Sequence, residues 1–177
     1  MSSLVIEEKV IAIMGDDVDT DIIFPTRYIA EFAEEEVAKH VLEDVDPGFR
    51  AKAKPGGIII AGKNFGCGSA REQAASGLKG AGVRLIIAPS FSRSFYRNGI
   101  NVGLRLLEVE DLPKGLAKDG DALSVDFTAG KIVNRSIGVA TAFDPPSSFV
   151  VGIMQAGGIF NFYKQTDGYR NLAGMGL

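Results

Sequence analysis

The chain of 177 residues contains no tryptophan, one cysteine and one histidine. A single cysteine, Cys67, cannot form a disulfide within the chain. It also cannot supply the several thiolates that a structural zinc site or an iron–sulfur cluster requires. The single histidine, His40, likewise excludes a metal centre built from clustered histidines. These absences exclude disulfide scaffolds, zinc modules and self-contained iron–sulfur proteins as classes.

Basic charge and long apolar runs are also scarce. The chain has 19 Lys and Arg against 22 Asp and Glu, which gives a formal net charge of −3. Nucleic-acid-binding domains usually carry a basic surplus or stripe, which this sequence lacks. No apolar run approaches the ~18 residues of a membrane span, and no signal-peptide pattern opens the chain. We therefore expect a cytoplasmic protein that binds neither nucleic acid nor a membrane.

The sequence does have an apolar content of 46%, enough for the core of one domain over residues 1–177. Residues 57–62 are a short continuous apolar run, which is typical of a strand buried on both faces, and residues 84–88 predict a second buried strand. A helix is predicted after each strand. The order strand, helix, strand, helix predicts a βαβ unit with parallel strands over about residues 57–97.

The remaining segments predict a mixed α/β domain with a strand-rich second half. Glycines at Gly157 and Gly158 are expected to interrupt the last helix, and Ala129-Gly130 is expected to form a hairpin tip. The helices are predicted over residues 31–43, 91–97 and 147–160, and the strands over residues 4–14, 121–128, 131–134 and 138–142.

The loop after the first buried run combines glycine, serine and arginine. Gly66 and Gly68 allow the backbone to approach a ligand closely, and a helix beginning near Ser69 would direct free N–H groups toward that ligand. Arg71 could bind a carboxylate or phosphate through two parallel hydrogen bonds. The same pattern is typical of an ordinary strand-to-helix turn with Ser69 as the N-cap, so both interpretations stay open. The loop matches neither a dinucleotide fingerprint nor a P-loop.

An acidic loop follows the opening strand, with four aspartates between residues 16 and 21. An EF-hand calcium loop requires an acidic residue at its twelfth position, and counted from Asp16 that position is Arg27. The preferred interpretation is a solvated loop of Asx-turns.

Cys67 lies beside the predicted helix start and would be an activated thiolate if a base were close. The only histidine, His40, lies in a different predicted helix. The sequence therefore favours structural roles for both residues over a Cys–His nucleophile.

Three segments together resemble a known family. They are Asp-Val-Asp-Thr-Asp-Ile-Ile-x-Pro over residues 17–25, Gly-x-Asn-Phe-Gly-Cys-Gly-Ser-x-Arg-Glu over residues 62–72, and Ser-Phe-x-Arg-x-Phe-Tyr-Arg-Asn-x-Ile-Asn over residues 90–101. In order and spacing they resemble the small subunit of 3-isopropylmalate dehydratase, the detached swivelling domain of the aconitase superfamily. The resemblance spans nearly the whole chain and implies a single mixed β/β/α swivelling domain of the aconitase type.

The resemblance implies a hydro-lyase that removes and re-adds water on a hydroxy-diacid, here 2- and 3-isopropylmalate in leucine biosynthesis. Such small subunits pair with a large subunit that carries a [4Fe–4S] cluster, so no cofactor is expected on this chain. By the same resemblance, Ser69 is the base that takes the carbon-bound proton and Arg71 holds a substrate carboxylate. Asp21 is expected at the rim of the site.

The resemblance also indicates where substrate preference is set. Homoaconitase-like subunits carry an arginine after a Tyr-Leu pair, to meet an extra carboxylate. In this chain Tyr28-Ile29 is followed by Ala30 and Glu31. Ile29 and Ala30 suit an apolar substituent such as isopropyl, and the acidic Glu31 would repel a third carboxylate. Arg27 would reverse this inference if it pointed into the site. The predicted substrate-binding residues are therefore Arg71, Asp21, Arg27, Ile29 and Ala30.

One departure from the family pattern leaves the exact diacid open. Ala70 stands where relatives commonly have a second serine, so a hydroxyl that could bind substrate is absent. Two alternatives remain. One is the same chemistry on homoaconitate, methylmalate or dimethylmalate, and the other is a non-catalytic module that binds small carboxylates.

Overall fold

The structure, a computed structural model, describes residues 4–168; residues 1–3 and 169–177, which the one-domain prediction includes, lie outside the described residues. The strands are β1 (Val5–Ile13), β2 (Gly57–Ile60), β3 (Val83–Ala88), β4 (Leu106–Glu108), β5 (Ala122–Asp126), β6 (Lys131–Asn134) and β7 (Val139–Ala142). The helices are α1 (Thr20–Ile23), α2 (Glu34–Val37), α3 (Phe49–Ala53), α4 (Glu72–Ala81), α5 (Arg93–Val102), α6 (Ser148–Ala156) and α7 (Ile159–Gln165), and a 3₁₀ turn covers Thr26–Tyr28.

The strands form one seven-stranded mixed sheet in the order β4-β3-β2-β1-β5-β6-β7. β1 pairs in parallel with β2 on one side and antiparallel with β5 on the other. It therefore divides the sheet into a parallel half, β4-β3-β2-β1, and an antiparallel half, β5-β6-β7. The mixed α/β class is confirmed by this topology.

The parallel half contains the predicted βαβ unit. All residues of β2 are buried, and so are all residues of β3 except Arg84. Helix α4 connects β2 to β3, and α5 connects β3 to β4, as expected for parallel strands. Helix α4 packs against α2 at Gly77, where a Cβ would overlap the side chains of Val37 and Val41. The burial of β2 and β3 is that expected of parallel strands in the interior of an α/β domain.

The antiparallel half confirms the strand-rich second half. A turn joins β5 to β6, in which the Asp126 carboxylate accepts hydrogen bonds from the N–H groups of Thr128 (2.8 Å) and Ala129 (2.9 Å). Gly130 follows with φ of 60°, in the left-handed region that favours glycine. The edge strand β7 is mostly exposed to solvent.

The predicted helix over residues 31–43 is wrong in extent, because only one turn, α2, forms there. Leu42 has φ of 56°, and its N–H donates to the carbonyl of Ile23 at 2.8 Å. Leu42 is also only 2% exposed. Burying this side chain and making this distant hydrogen bond turns the chain away from a helical path.

The other predicted helices are confirmed in position, although their first and last residues differ from the prediction. Helix α5 begins after Ser92, whose hydroxyl accepts the Phe95 N–H at 3.3 Å, and it ends at Gly103 with φ of 86°. The predicted interruption at Gly157 and Gly158 is confirmed, since α6 ends there and α7 begins. The short elements α1, α3 and β4 were not predicted. Within residues 4–168, no helix is both long and apolar enough to cross a membrane.

Candidate active site

Two loops run side by side beyond the carboxyl ends of β1 and β2. The Gly66 N–H donates to the Val18 carbonyl, and the Thr20 N–H donates to the Cys67 carbonyl, both at 2.8 Å. These bonds extend the parallel pairing of β1 and β2 in irregular form. The acidic loop and the glycine loop are therefore one unit, at the edge of a parallel sheet where ligands usually bind.

Ser69 lies at the exposed end of this unit. Its N–H donates to the Thr20 hydroxyl at 3.0 Å, while its own hydroxyl makes no hydrogen bond within the described chain. The backbone reaches this position through Gly68, which has φ of 87° and lies against the Asp19 carboxylate, where a Cβ would overlap. The loop therefore presents the Ser69 hydroxyl outward on a fixed backbone.

The expected helix near Ser69 begins later, at Glu72, so Ser69 is not its N-cap. The reason is that the Ser69 N–H is held by Thr20 and Gly68 has a left-handed conformation, which a helix cannot include. Arg71 takes the N-cap position, and its side chain does not cap the helix. The first N–H groups of α4, which has ten residues, are left for a ligand or solvent.

Arg71 supplies a positive charge beside these N–H groups. Its side chain is 14% exposed and forms an ion pair with Asp21. Its Nη1 also lies 3.4 Å from the hydroxyl of Thr26, to which it donates a long hydrogen bond. The structure therefore brings Ser69, Arg71 and Asp21 into one region. A mostly buried arginine side chain next to an uncapped helix N-terminus suits a carboxylate ligand.

The other predicted substrate residues lie on the segment after Pro25. Ile29 and Ala30 are exposed, and the Ile29 carbonyl lies 3.4 Å from Nε2 of Gln73, on the first turn of α4. This contact places the segment beside the helix end that carries Arg71.

The Arg27 side chain forms its ion pairs with residues other than the predicted site residues. Its guanidinium binds Glu43 and Asp44, with Nη1 2.7 Å from Asp44 Oδ2, and it lies 4.8 Å from the centroid of the Tyr28 ring. This guanidinium in turn holds the pKa of Asp44 below its usual range. A substrate would have to displace two carboxylates to bind Arg27, so its substrate role stays a prediction.

The hypothesis of a Cys67–His40 nucleophile gains no support. Burial, together with the carboxylates of Asp19 and Asp17, raises the pKa of the Cys67 thiol, which reduces its thiolate fraction. The His40 ring stacks on Tyr28, with centroids 3.7 Å apart, and its Nδ1 lies 2.8 Å from Glu43 Oε2. The Cys67 thiol is therefore less ionised than a nucleophile requires, and the His40 ring contacts Tyr28 and Glu43 instead of Cys67.

Residues 4–168 contain no group of three or more His, Cys, Asp or Glu side chains that could hold a metal ion. With one cysteine in the whole sequence, the chain's residues do not fit an iron–sulfur cluster. A cavity of about 810 Å³ near the ends of β3 and β4 is lined by Lys63, Ser90 and Glu108 among others, and neither Ser69 nor Arg71 belongs to it. Ser69 is exposed, so the candidate site faces solvent outside this cavity.

Two residues that hold the site together were not predicted from the sequence. Thr20 is buried beneath the Ser69 N–H, and Asn98 of α5 donates through Nδ2 to the Ala70 carbonyl at 3.2 Å. The acidic loop does contain an Asx-turn, since Asp19 accepts the Asp21 N–H at 2.8 Å. A single apolar position between its aspartates, the buried Val18, was the one sequence signal that the loop is packed.

Fold and site together define a mixed α/β domain whose solvent-facing loop at the end of the parallel strands suits a carboxylate ligand. Comparison with known proteins agrees with this class. Residues 24–112 match the family model described as the aconitase C-terminal domain. A crystal structure titled 3-isopropylmalate dehydratase, from Methanocaldococcus jannaschii, superposes with a TM-score of 0.85 at 36% identity, covering 96% of this chain and 99% of that chain.

Curated relatives narrow the class further. The 3-isopropylmalate dehydratase small subunit of Sulfurimonas denitrificans is 46% identical over 84% of this chain and 87% of its own length. The methanogen homoaconitase small subunit of Methanothermobacter thermautotrophicus is also 46% identical, over 86% of this chain and 87% of its own length. This chain belongs to the aconitase C-terminal domain family, as a hydro-lyase small subunit of the 3-isopropylmalate dehydratase type.

Proposed function

We propose that this chain, with a large subunit, interconverts 2-isopropylmalate and 3-isopropylmalate by dehydration and rehydration in leucine biosynthesis. The observation that carries the proposal is that the exposed Ser69, whose hydroxyl has no hydrogen bond within residues 4–168, and the Arg71 guanidinium belong to the same loop and are both linked to the acidic loop. This loop offers a base and a carboxylate-binding group, which is what half of a shared active site requires.

In the proposed reaction, Ser69 takes the carbon-bound proton of the substrate. Hydroxide leaves the neighbouring carbon, a carbon–carbon double bond forms, and the released hydroxide becomes water with a proton from the site. Addition of water in the opposite sense gives the isomer. A serine oxygen is a weak base unless its anionic form is stabilised. The uncapped N–H groups of α4 and the positive charge of Arg71 would provide that stabilisation in a closed complex.

Arg71 would bind a substrate carboxylate through its planar guanidinium. In the free chain Asp21 is the partner of this guanidinium, and Asp21 is itself 57% exposed on its side chain. An exposed carboxylate is easily displaced, because water competes with its ion pair. Asp21 would therefore keep Arg71 oriented until the substrate arrives.

The [4Fe–4S] cluster of the proposed enzyme is assigned to the large subunit. This chain has one cysteine, so its residues cannot hold the cluster, and we derive no role for them as cluster ligands. The expected cytoplasmic location also stays a prediction.

A second candidate is the same chemistry on another diacid. Relatives with equal identity include a homoaconitase small subunit and, from Methanocaldococcus jannaschii, an isopropylmalate/citramalate isomerase small subunit. Ile29, which is 48% exposed, and Ala30 provide an apolar surface near Arg71, which favours an isopropyl substituent over a third carboxylate. The substitution Ala30→Arg should shift preference toward tricarboxylates, with Ala30→Leu as the uncharged control.

The proposal is tested by reconstitution. The chain is mixed anaerobically with the cluster-bearing large subunit from the same source, and the unsaturated intermediate is followed by ultraviolet absorbance. Isopropylmalate, homocitrate and a methylated malate are supplied in turn, with each subunit alone as the control. Activity only in the mixture, highest with isopropylmalate, is the expected result.

Other outcomes would overturn the proposal in distinct ways. Preference for another substrate would establish the second candidate instead. Failure of the two chains to bind, together with useful affinity of the isolated chain for small carboxylates, would establish the non-catalytic binding module.

A further inference from the structure

One hydroxyl in the acidic loop is buried, although the aspartates on either side reach solvent. Thr20 is 1% exposed, and it is among the few polar residues that the core encloses. Its hydroxyl accepts the Ser69 N–H at 3.0 Å and lies 3.4 Å from Asp19 Oδ1, to which it donates. The two residues are 49 positions apart in the chain, so this contact exists only in the folded protein.

Asp19 connects this hydroxyl to the rest of the site. Its Oδ1 also accepts the Asp21 N–H at 2.8 Å, and Asp21 is the ion-pair partner of Arg71. The same carboxylate lies against Gly68, which leaves no space for a side chain there. Thr20 and Asp19 therefore fix both the backbone that carries Ser69 and the carboxylate that orients Arg71.

We propose that Thr20 is a positioning residue for Ser69, which rests on the proposed function of Ser69. The Ser69 hydroxyl has no hydrogen bond of its own within residues 4–168, so its position depends on the backbone that carries it. That backbone passes through two left-handed glycines, Gly66 and Gly68, and glycine has the most conformational freedom to lose. The Thr20 hydroxyl is the side-chain group that restrains the Ser69 N–H directly.

Thr20→Val removes the hydroxyl and keeps the shape of the side chain, whereas Thr20→Ser keeps the hydroxyl. Thr166→Val is the matched control, because Thr166 is also buried and its hydroxyl donates to the Phe162 carbonyl at 2.9 Å, on α7. Each variant is measured in the reconstituted complex, together with the thermal unfolding of the chain and its binding to the large subunit.

Thr20→Val is expected to lower kcat about tenfold to hundredfold while KM changes less than about threefold, because a small displacement of a reacting group is costly. Thr20→Ser is expected to restore kcat to within about threefold of the unmodified chain. Thr166→Val is expected to lower only the unfolding temperature. Full activity of Thr20→Val, or a loss in Thr166→Val that matches it, would overturn the inference.

Amide hydrogen exchange of the isolated chain separates this inference from the proposed function. If the hydroxyl holds the Ser69 N–H, that amide exchanges slowly in the unmodified chain and in Thr20→Ser, and at least about tenfold faster in Thr20→Val. Equal exchange rates in all three would refute the positioning role even in an inactive complex. An inactive unmodified complex with the expected exchange pattern would refute the proposed function alone.

Discussion

Both halves of the sheet are built from β-strands, but the strands differ in how far they are buried. β2 and β3 are buried at every residue except Arg84, whereas β7 at the opposite edge is mostly exposed. The candidate site lies beyond the ends of β1 and β2, in the parallel half. A strand that is buried on both faces is held firmly, so the loop that leaves it can present a reactive group in a fixed position.

The antiparallel half extends the sheet from β1 without contributing a predicted site residue. Its strands are joined by short turns, and the exposed side chains Ile137 and Val139 lie at its edge. We therefore expect the chain to tolerate changes in the antiparallel half and to depend on the parallel half for chemistry.

Ser69→Ala should lower kcat of the reconstituted complex by about 10²–10⁴-fold, the usual contribution of a positioned base. Substrate binding, measured by calorimetry on the same complex, should persist because Arg71 remains. Ser136→Ala, in the antiparallel half, is the control and should leave kcat unchanged. Turnover of Ser69→Ala close to that of the unmodified complex would show that another group takes the proton.

Ile59→Ala should lower the free energy of unfolding by about 2–5 kcal/mol, because Ile59 is fully buried in β2 and its truncation leaves a cavity. Val139→Ala should change the free energy by less than about 0.5 kcal/mol, because Val139 is 43% exposed on β7. Urea unfolding followed by circular dichroism measures both. Similar losses would mean that the two halves contribute equally to the core.

Arg71→Lys should raise KM by about tenfold or more, because a point charge cannot replace the two parallel hydrogen bonds of a guanidinium. Lysine keeps the positive charge, so a rise in KM would measure the loss of the planar guanidinium and not the loss of charge. Arg135→Lys in the antiparallel half, where Arg135 pairs with Glu7, should leave KM unchanged. An unchanged KM in Arg71→Lys would remove Arg71 from the substrate site.

A comparison of Gly68→Ala with Gly138→Ala separates the effect of backbone strain from the effect of steric overlap. Both glycines have positive φ, 87° and 74°, so alanine at either should cost about 1 kcal/mol of stability. Gly68→Ala adds overlap with the Asp19 carboxylate, whereas no atom lies within 4 Å of a Cβ at Gly138. Activity should therefore fall only in Gly68→Ala. Equal activity in both would show that the loop adapts to a side chain.

The smallest effect is expected at Cys67. Because the pKa of its thiol is raised, a smaller fraction is thiolate at any given pH, and alkylation by iodoacetamide at pH 8 should be slower than for an unperturbed thiol such as that of glutathione. The rate should still be rising at pH values where alkylation of an unperturbed thiol has levelled off, because the pKa of the Cys67 thiol is raised. Faster alkylation than glutathione at pH 8 would revive the activated-thiolate hypothesis.

Much of the parallel half was predictable because its signals are local. The apolar runs at β2 and β3 predicted buried parallel strands, and the glycine pair at Gly157-Gly158 predicted the break between α6 and α7. The prediction of a helix over residues 31–43 was wrong because a hydrogen bond from the Leu42 N–H to the Ile23 carbonyl, in another segment, overrides the local helical pattern. Local periodicity cannot report a hydrogen bond to another segment.

By itself the sequence determined which residues could carry the chemistry, since Ser69 and Arg71 stand on a glycine-rich loop after a buried strand and match the family pattern. How these residues are held is visible only in the folded chain, where α4 begins at Glu72, Arg27 pairs with two carboxylates, and the Thr20 hydroxyl is buried under the Ser69 N–H. The physical reason is that each of these depends on hydrogen bonds or ion pairs between segments far apart in the chain, which form only when the sheet brings the segments together.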